Sequence, residues 1–207
     1  MLGTSGNLSI LISENRFLIT ASGKDKGELT EEDFILVDEF GVIARSETTK
    51  QSANATHNEI ASPAFGAASS GLCLPRNDKP SAETLLHSTI YKHTNAGAVF
   101  HVHTTNSTLL SILSPQSSVL TFSDLEMLKG LGFKTHDVKV TIPIIENNQD
   151  MKYLATIAPS YINEDVPGLL LKGHGIYAWG KTPQETKRHI EIFEFLFEYR
   201  VKELSIK

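Results

Sequence analysis

With 207 residues, 40% of them apolar and 21% charged, the chain has the size and balance of one large globular domain, which excludes collagen-like, fibrous and disordered classes. Nineteen basic against 24 acidic residues leave a net charge of −5, and with no Lys/Arg run the chain is suited neither to nucleic acid nor to an anionic membrane. Its single cysteine, Cys73, excludes an intrachain disulfide or a thiolate metal cluster and fits a reducing, cytoplasmic setting.

In chain order, residues 1–20 lack a basic leader with an unbroken apolar stretch, and nowhere does the chain approach the roughly 18 apolar residues of a membrane span. Residues 8–12 and 17–20 read as a hairpin, with Ser22-Gly23 closing its second strand. A second strand pair is predicted at 34–37 and 42–44. Residues 46–78, rich in Ser, Thr, Asn and Ala without periodicity, cannot bury much apolar surface and predict a mobile insertion within a single domain spanning 1–207.

A helix is predicted to start near Ser81, where Pro80 and Ser81 introduce Leu85, Leu86, His87, Ile90 and Tyr91 at helical spacing. Residues 96–103 then read as a buried strand, 105–113 and 124–131 as short helices, 138–142 as a strand and 151–160 as a helix. Strands at 168–171 and 176–179 flank Lys172-Gly173-His174-Gly175. The last helix has Thr182 as N-cap, Pro183 at its first position and Glu185 for a capping box, followed by Ile190, Phe193, Phe197, Val201 and Leu204. Strands and helices mixed without strict βαβ alternation predict an α/β fold with a mainly antiparallel central sheet between helix layers. No GxGxxG or GxxxxGK[ST] occurs, which excludes the usual dinucleotide and P-loop readings.

The chemistry must come from elsewhere, and the histidines offer it. His101 and His103 stand two apart on a predicted strand and so share a face. With His174, set between Gly173 and Gly175, they could supply three neutral nitrogens at about 2.0–2.1 Å from a zinc ion with a position left open, a catalytic arrangement. The alternative is three ordinary histidines, and HxH alone does not decide. His57, His87, His93, His136 and His189 show no such convergence and read as surface or satisfied core. Gly6-Asn7, Ser22-Gly23-Lys24 with Lys26, and Lys79-Pro80-Ser81 offer small residues or hydroxyls suited to an anion, the last at a predicted helix N-terminus; singly, each is only a turn or a cap. Glu126 and Glu83 are candidates for proton transfer, and equally for first-turn carboxylates that stabilise a helix dipole.

Thr4 to Ser9, Ile19 to Gly23, Lys79 to Thr84, His101-Val102-His103 and Lys172 to Gly180 resemble, in the same order, the class II aldolase/adducin family, over nearly the whole chain. The runs at 22–27, 80–84, 142–147 and 174–180 are most similar to the branch that dehydrates a methylthio-substituted ketose 1-phosphate in methionine salvage. The resemblance implies a three-layer α/β/α sandwich and a homotetramer with active sites between subunits. It implies one zinc per subunit held by His101, His103 and His174, and a sugar-phosphate substrate whose phosphate meets Asn7, Ser22, Gly23, Ser81 and Lys26. It implies Glu126 as the first choice for general acid/base, with Glu83 in the position of the aldolases' base. A sugar-phosphate aldolase is the rival reading, against which Ala82 stands in place of the aldolases' second serine. An adducin-like scaffold without catalysis would have degraded ligands, whereas all three histidines are present. The chain opens almost on its Thr-Ser-Gly-Asn motif, without the N-terminal helix of the family, so the apolar surface which that helix covers is expected to be hidden by the insertion or by a neighbour, or else to remain exposed.

Overall fold

Alternate burial along Gly6–Ser13 (β1) and Arg16–Thr20 (β2) makes the predicted hairpin, and Phe34–Asp38 (β3) pairs with its outer side. The computed structural model describes residues 5–14, 16–24, 27–38, 81–113, 118–163 and 165–206. The predicted strand at 42–44, the 46–78 insertion and Lys26 lie outside them.

The helix expected near Ser81 runs over Thr84–His93 (α1). Its start is displaced because residues 81–83 form a turn in which the Ser81 carbonyl accepts from the Thr84 amide at 3.1 Å and from its hydroxyl at 2.6 Å. Ala98–Val102 (β4) is buried at every position, as its apolar run requires of a central strand, and His103 falls one residue past its end. Thr105–Leu113 (α2) follows as predicted, then Val119–Phe122 (β5). The stretch read as a helix at 124–131 is a 3-10 helix, Glu126–Leu131, ended by Gly132 in the left-handed region at φ +104°.

Val140–Ile145 (β6), Met151–Ile157 (α3), Gly168–Leu171 (β7), Gly175–Gly180 (β8) and Pro183–Ile206 (α4) complete the order. At the start of α4 the Thr182 hydroxyl accepts from the Glu185 amide at 3.1 Å, as predicted, while the Glu185 carboxylate takes the Lys181 amide at 2.7 Å. The eight strands run β3-β2-β1-β4-β8-β7-β6-β5, antiparallel throughout except for β6 against β7. Phe100, Ile176 and Ile142 on one face pack with Phe193 and Phe197 of α4, whereas Val99, Trp179 and Leu169 on the other pack with Leu86 and Ile90 of α1 and Leu154 of α3. This is the three-layer α/β/α sandwich, its sheet mostly antiparallel.

Candidate metal centre

Register brings the ligands together. Residues paired across an antiparallel sheet share a face, so the pairings Asn7 with His101 and His101 with Tyr177 set these three side chains in a row under α1. Val102 pairs with both Gly6 and Ile176, which puts the start of β1, the end of β4 and the start of β8 at one end of the sheet. The β7–β8 turn there carries His174, with Gly173 in the left-handed region at φ +67°. Gly175 has no room for a side chain: a Cβ would press on the Val102 carbonyl and come within 3.0 Å of the His103 ring and 3.2 Å of the His101 ring. Its lack of a Cβ lets both imidazoles close in.

Glu83 stands at the N-cap of α1 yet makes no cap hydrogen bond with its side chain. Its carboxylate turns instead to the histidines, with one oxygen 3.2 Å from His101 Nε2 and the other 3.1 Å from His174 Nε2. The helix-dipole explanation therefore does not account for it. Glu83, His101, His103 and His174 each offer a ligand atom, all within 4.8 Å of one another, a set able to bind a metal ion.

The donor chemistry fits a cation. A carbonyl only accepts, so His101 Nδ1, 3.0 Å from the Ile176 carbonyl, carries the proton and leaves Nε2 as a lone pair. That lone pair faces His103 Nε2 at 2.7 Å, while His103 Nδ1 is held by the Ser5 hydroxyl at 2.7 Å. His174 Nδ1 is buried without a hydrogen-bond partner. Burial pushes His101 down to about 3 and lowers His103 as well, so both stay neutral, the form that ligates. Burial works against ionisation of Glu83, but the hydrogen bonds from His174 and Asn7 outweigh it and hold its carboxyl well below the usual range.

His87 is likewise fully buried and pushed down to about 3. In the unfolded chain both His87 and His101 take a proton near the ordinary 6.5, so from there down to about pH 3 the unfolded state binds more protons and the fold loses stability as pH falls. The slope reaches about 1.4 kcal/mol per pH unit for each histidine. Metal-free protein should accordingly show a lower urea midpoint near pH 5 than near pH 7.5, and equal midpoints would contradict the neutral, buried state of these rings.

The remaining predicted site residues are placed unequally. Asn7 is buried, with its amide donating to Glu83 at 2.6 Å and to Ser81 Oγ at 2.9 Å. Ser22 and Gly23, exposed just past the end of β2, lie by register beside the start of β1, and Gly23 takes φ +78°. Lys26 lies outside the described residues. Glu126 is exposed and ion-paired with Lys129 at 2.6 Å, with His136 Nδ1 3.4 Å away; among the described residues its carboxylate does not meet His101, His103 or His174. Its carboxyl is lowered by the Lys129 hydrogen bond. Sequence reading assigned no site role to Ser5, Ser9, Tyr91 or Tyr177, and its reading of His87 as surface or satisfied core agrees with a buried ring bonded at both nitrogens. Polar residues at alternate positions of β1, with His87 and Tyr91 four apart on α1, were the legible signs.

A groove of about 480 Å³ opens beside His103, lined also by Thr105, Thr108, Leu109 and Ile112 of α2. A second cleft, around Lys92, Trp179 and His189, sits at the opposite end of β4 and β8 and holds none of the four clustered residues.

Residues 1–201 match the Class II Aldolase and Adducin N-terminal domain. The methylthioribulose-1-phosphate dehydratase of Geobacillus kaustophilus (strain HTA426) is 42% identical over 206 residues, 99% of this chain and 84% of that protein. The enzyme of the same name from Bacillus subtilis (strain 168) is 43% identical over 201 residues, 96% of this chain and 83% of that protein. Among solved structures, an L-fuculose 1-phosphate aldolase superposes with a TM-score of 0.67 at 20% identity, over all of this chain and 79% of that one. The L-fuculose-1-phosphate aldolase of Thermus thermophilus gives 0.62 at 23% identity, over 97% and 86%. At these identities the structural likenesses show the fold alone.

Proposed function

The chain belongs to the class II aldolase and adducin family, and from that premise we propose that it dehydrates 5-methylthioribulose 1-phosphate to 2,3-diketo-5-methylthiopentyl 1-phosphate and water, a step of methionine salvage. The observation that carries this reading is near full-length identity of 42–43% to dehydratases of that name, in a chain whose His and Glu ligands meet at one point.

His101, His103 and His174 would hold the ion, which we assign as zinc, one per subunit, with Glu83 beside it. When bound, such an ion supplies Lewis acidity that makes the hydrogen next to a ketone carbonyl removable. The chain's own groups do the rest. Ser81, Ser22 and Gly23, with Lys26, are assigned to the phosphate, whose binding energy fixes the carbons against the carboxylates, while Asn7, its amide spent on Glu83 and Ser81, orients both. A carboxylate takes the C3 proton and the electron pair left behind forms a C3=C4 bond as the C4 hydroxyl, protonated by an acid, leaves as water. The enol so formed tautomerises to the diketone. We assign removal of the C3 proton to Glu83, whose carboxylate meets His101 and His174. Glu126, exposed on its own chain, is assigned to C4 at the centre of a neighbouring subunit in a homotetramer. The groove opens beside His103, whereas His101 and His174 are the two histidines that meet the Glu83 carboxylate, and its Leu109 and Ile112 suit the methylthio end.

Among the described residues no helix is long and apolar enough to cross a membrane. We assign the protein to the cytoplasm on its single cysteine.

An assay with the methylthio ketose phosphate separates this reading from its rival. The expected result is the diketone with no triose phosphate. Dihydroxyacetone phosphate plus an aldehyde, formed by C3–C4 cleavage, would establish an aldolase instead. A purified protein without near-stoichiometric transition metal under non-chelating conditions would favour the scaffold reading.

A further inference from the structure

We propose that His87 is a positioning residue for the metal centre: a one-way chain of hydrogen bonds running Tyr91, Ser9, His87, Asn7 sets the Asn7 amide so that it donates to Glu83. The inference rests on the proposed role of Glu83 beside the metal.

The direction of the chain follows from what each group can do. The carboxylate of Glu83 only accepts, so the Asn7 atom 2.6 Å from it is the amide nitrogen, whose other hydrogen goes to Ser81 Oγ at 2.9 Å. Asn7 Oδ1 is thereby turned to His87 Nε2, which must carry a proton to donate to it. A neutral imidazole then has a bare Nδ1, and that nitrogen accepts from the Ser9 hydroxyl at 2.6 Å. Ser9 has one hydrogen, and the 3.4 Å approach to the Val99 carbonyl is the looser alternative for it. Ser9 Oγ is left as acceptor for the Tyr91 hydroxyl at 2.7 Å, which burial keeps protonated.

Placement supports a dedicated device. Asn7, Ser9 and His87 are 4%, 0% and 0% exposed, so no water competes to reorient them. Apolar neighbours at the same positions would have packed at no cost in unsatisfied groups, whereas a buried polar chain is worth keeping only if every member is paired. Here each is paired. Reversal of one link turns the Asn7 carbonyl oxygen onto the Glu83 carboxylate, two acceptors face to face, and the carboxylate swings from the histidines.

Three measurements test the proposal on the full chain. Nitrogen-15 NMR of the imidazoles in the wild-type protein should show His87 with Nε2 protonated and Nδ1 bare; the opposite tautomer overturns the chain. Competition with a chelator for zinc alone, without substrate, should show His87→Leu binding about 10-fold more weakly than wild type, the low end of the cost of losing a partner directly behind a ligand, because His87 acts through Asn7. His87→Gln, which keeps a donor toward Asn7, should recover most of that loss. A folded His87→Leu protein with wild-type zinc affinity, or a Gln variant no better than Leu, refutes the positioning role. Should His87→Leu not fold, Ser9→Ala replaces it: weaker zinc binding is expected, and unchanged binding overturns the proposal. Failure of the wild-type protein to bind zinc at all would instead sink the functional reading from which this one starts.

Discussion

Replacing His101 with alanine will remove the metal and the activity together. His101 is fully buried, held at Nδ1 by the Ile176 carbonyl and stacked on the Tyr177 ring at 4.1 Å, so its Nε2 is aimed before any ion arrives. It stands between His103, with ring centroids 4.6 Å apart, and His174, at 4.9 Å. No neighbour can replace it, because β4 carries apolar side chains at its other positions. Losing a partner behind a ligand costs 10- to 100-fold in affinity, so losing this ligand should cost more than about 100-fold. The chemistry assigned to the ion is worth several kcal/mol, hence a fall of at least about a thousandfold in kcat/KM. Elemental analysis under non-chelating conditions and the diketone assay check both. A His101→Ala protein that retains a full equivalent of metal would show that the ligand set is wrong.

Glu126→Gln should keep the metal and lose turnover, by about 10²- to 10⁴-fold in kcat, the range for removal of a general acid or base. The amide is isosteric and the residue is exposed, so the fold has no reason to change. Glu83→Gln should slow turnover over the same range and also weaken metal binding, because its carboxylate meets His101 and His174. Wild-type rates for Glu126→Gln would leave the proton transfers to Glu83. The assignment of Glu126 to a neighbouring subunit has its own readout. Neither His101→Ala nor Glu126→Gln should be active alone, yet tetramers reassembled from equal amounts of both should regain activity at about a quarter of their sites, those that draw His101 from one chain and Glu126 from the next. If mixing restores nothing, Glu126 works within its own chain or not at all.

Chain order made much of this legible. The apolar run before His101 marked a central strand, and the Thr182 and Glu185 signals marked the start of α4, because both depend on neighbours in sequence. The start of α1 was missed by three residues, since Ser81 serves the turn rather than the helix, accepting through its carbonyl from Thr84. The stretch 124–131 reads as a short helix, whereas the chain winds more tightly there, as a 3-10 helix over Glu126–Leu131. For Glu83, a carboxylate at a helix N-terminus has a local explanation, and only the contacts with His101 and His174 displace it.

What the sequence determined by itself is the set of parts: an antiparallel-rich α/β sandwich, an HxH strand end and a glycine-flanked histidine. These follow from periodicity and from residue type, which act over a few positions. The tertiary structure alone decided which parts meet. The pairings of β1 and β8 with β4 set Asn7 and Tyr177 beside His101, and α1 lays His87 and Tyr91 over Ser9, across about eighty residues of chain. Such long-range contacts depend on strand register and on which face each helix buries, and a slip of one residue would turn every one of these side chains to the opposite face.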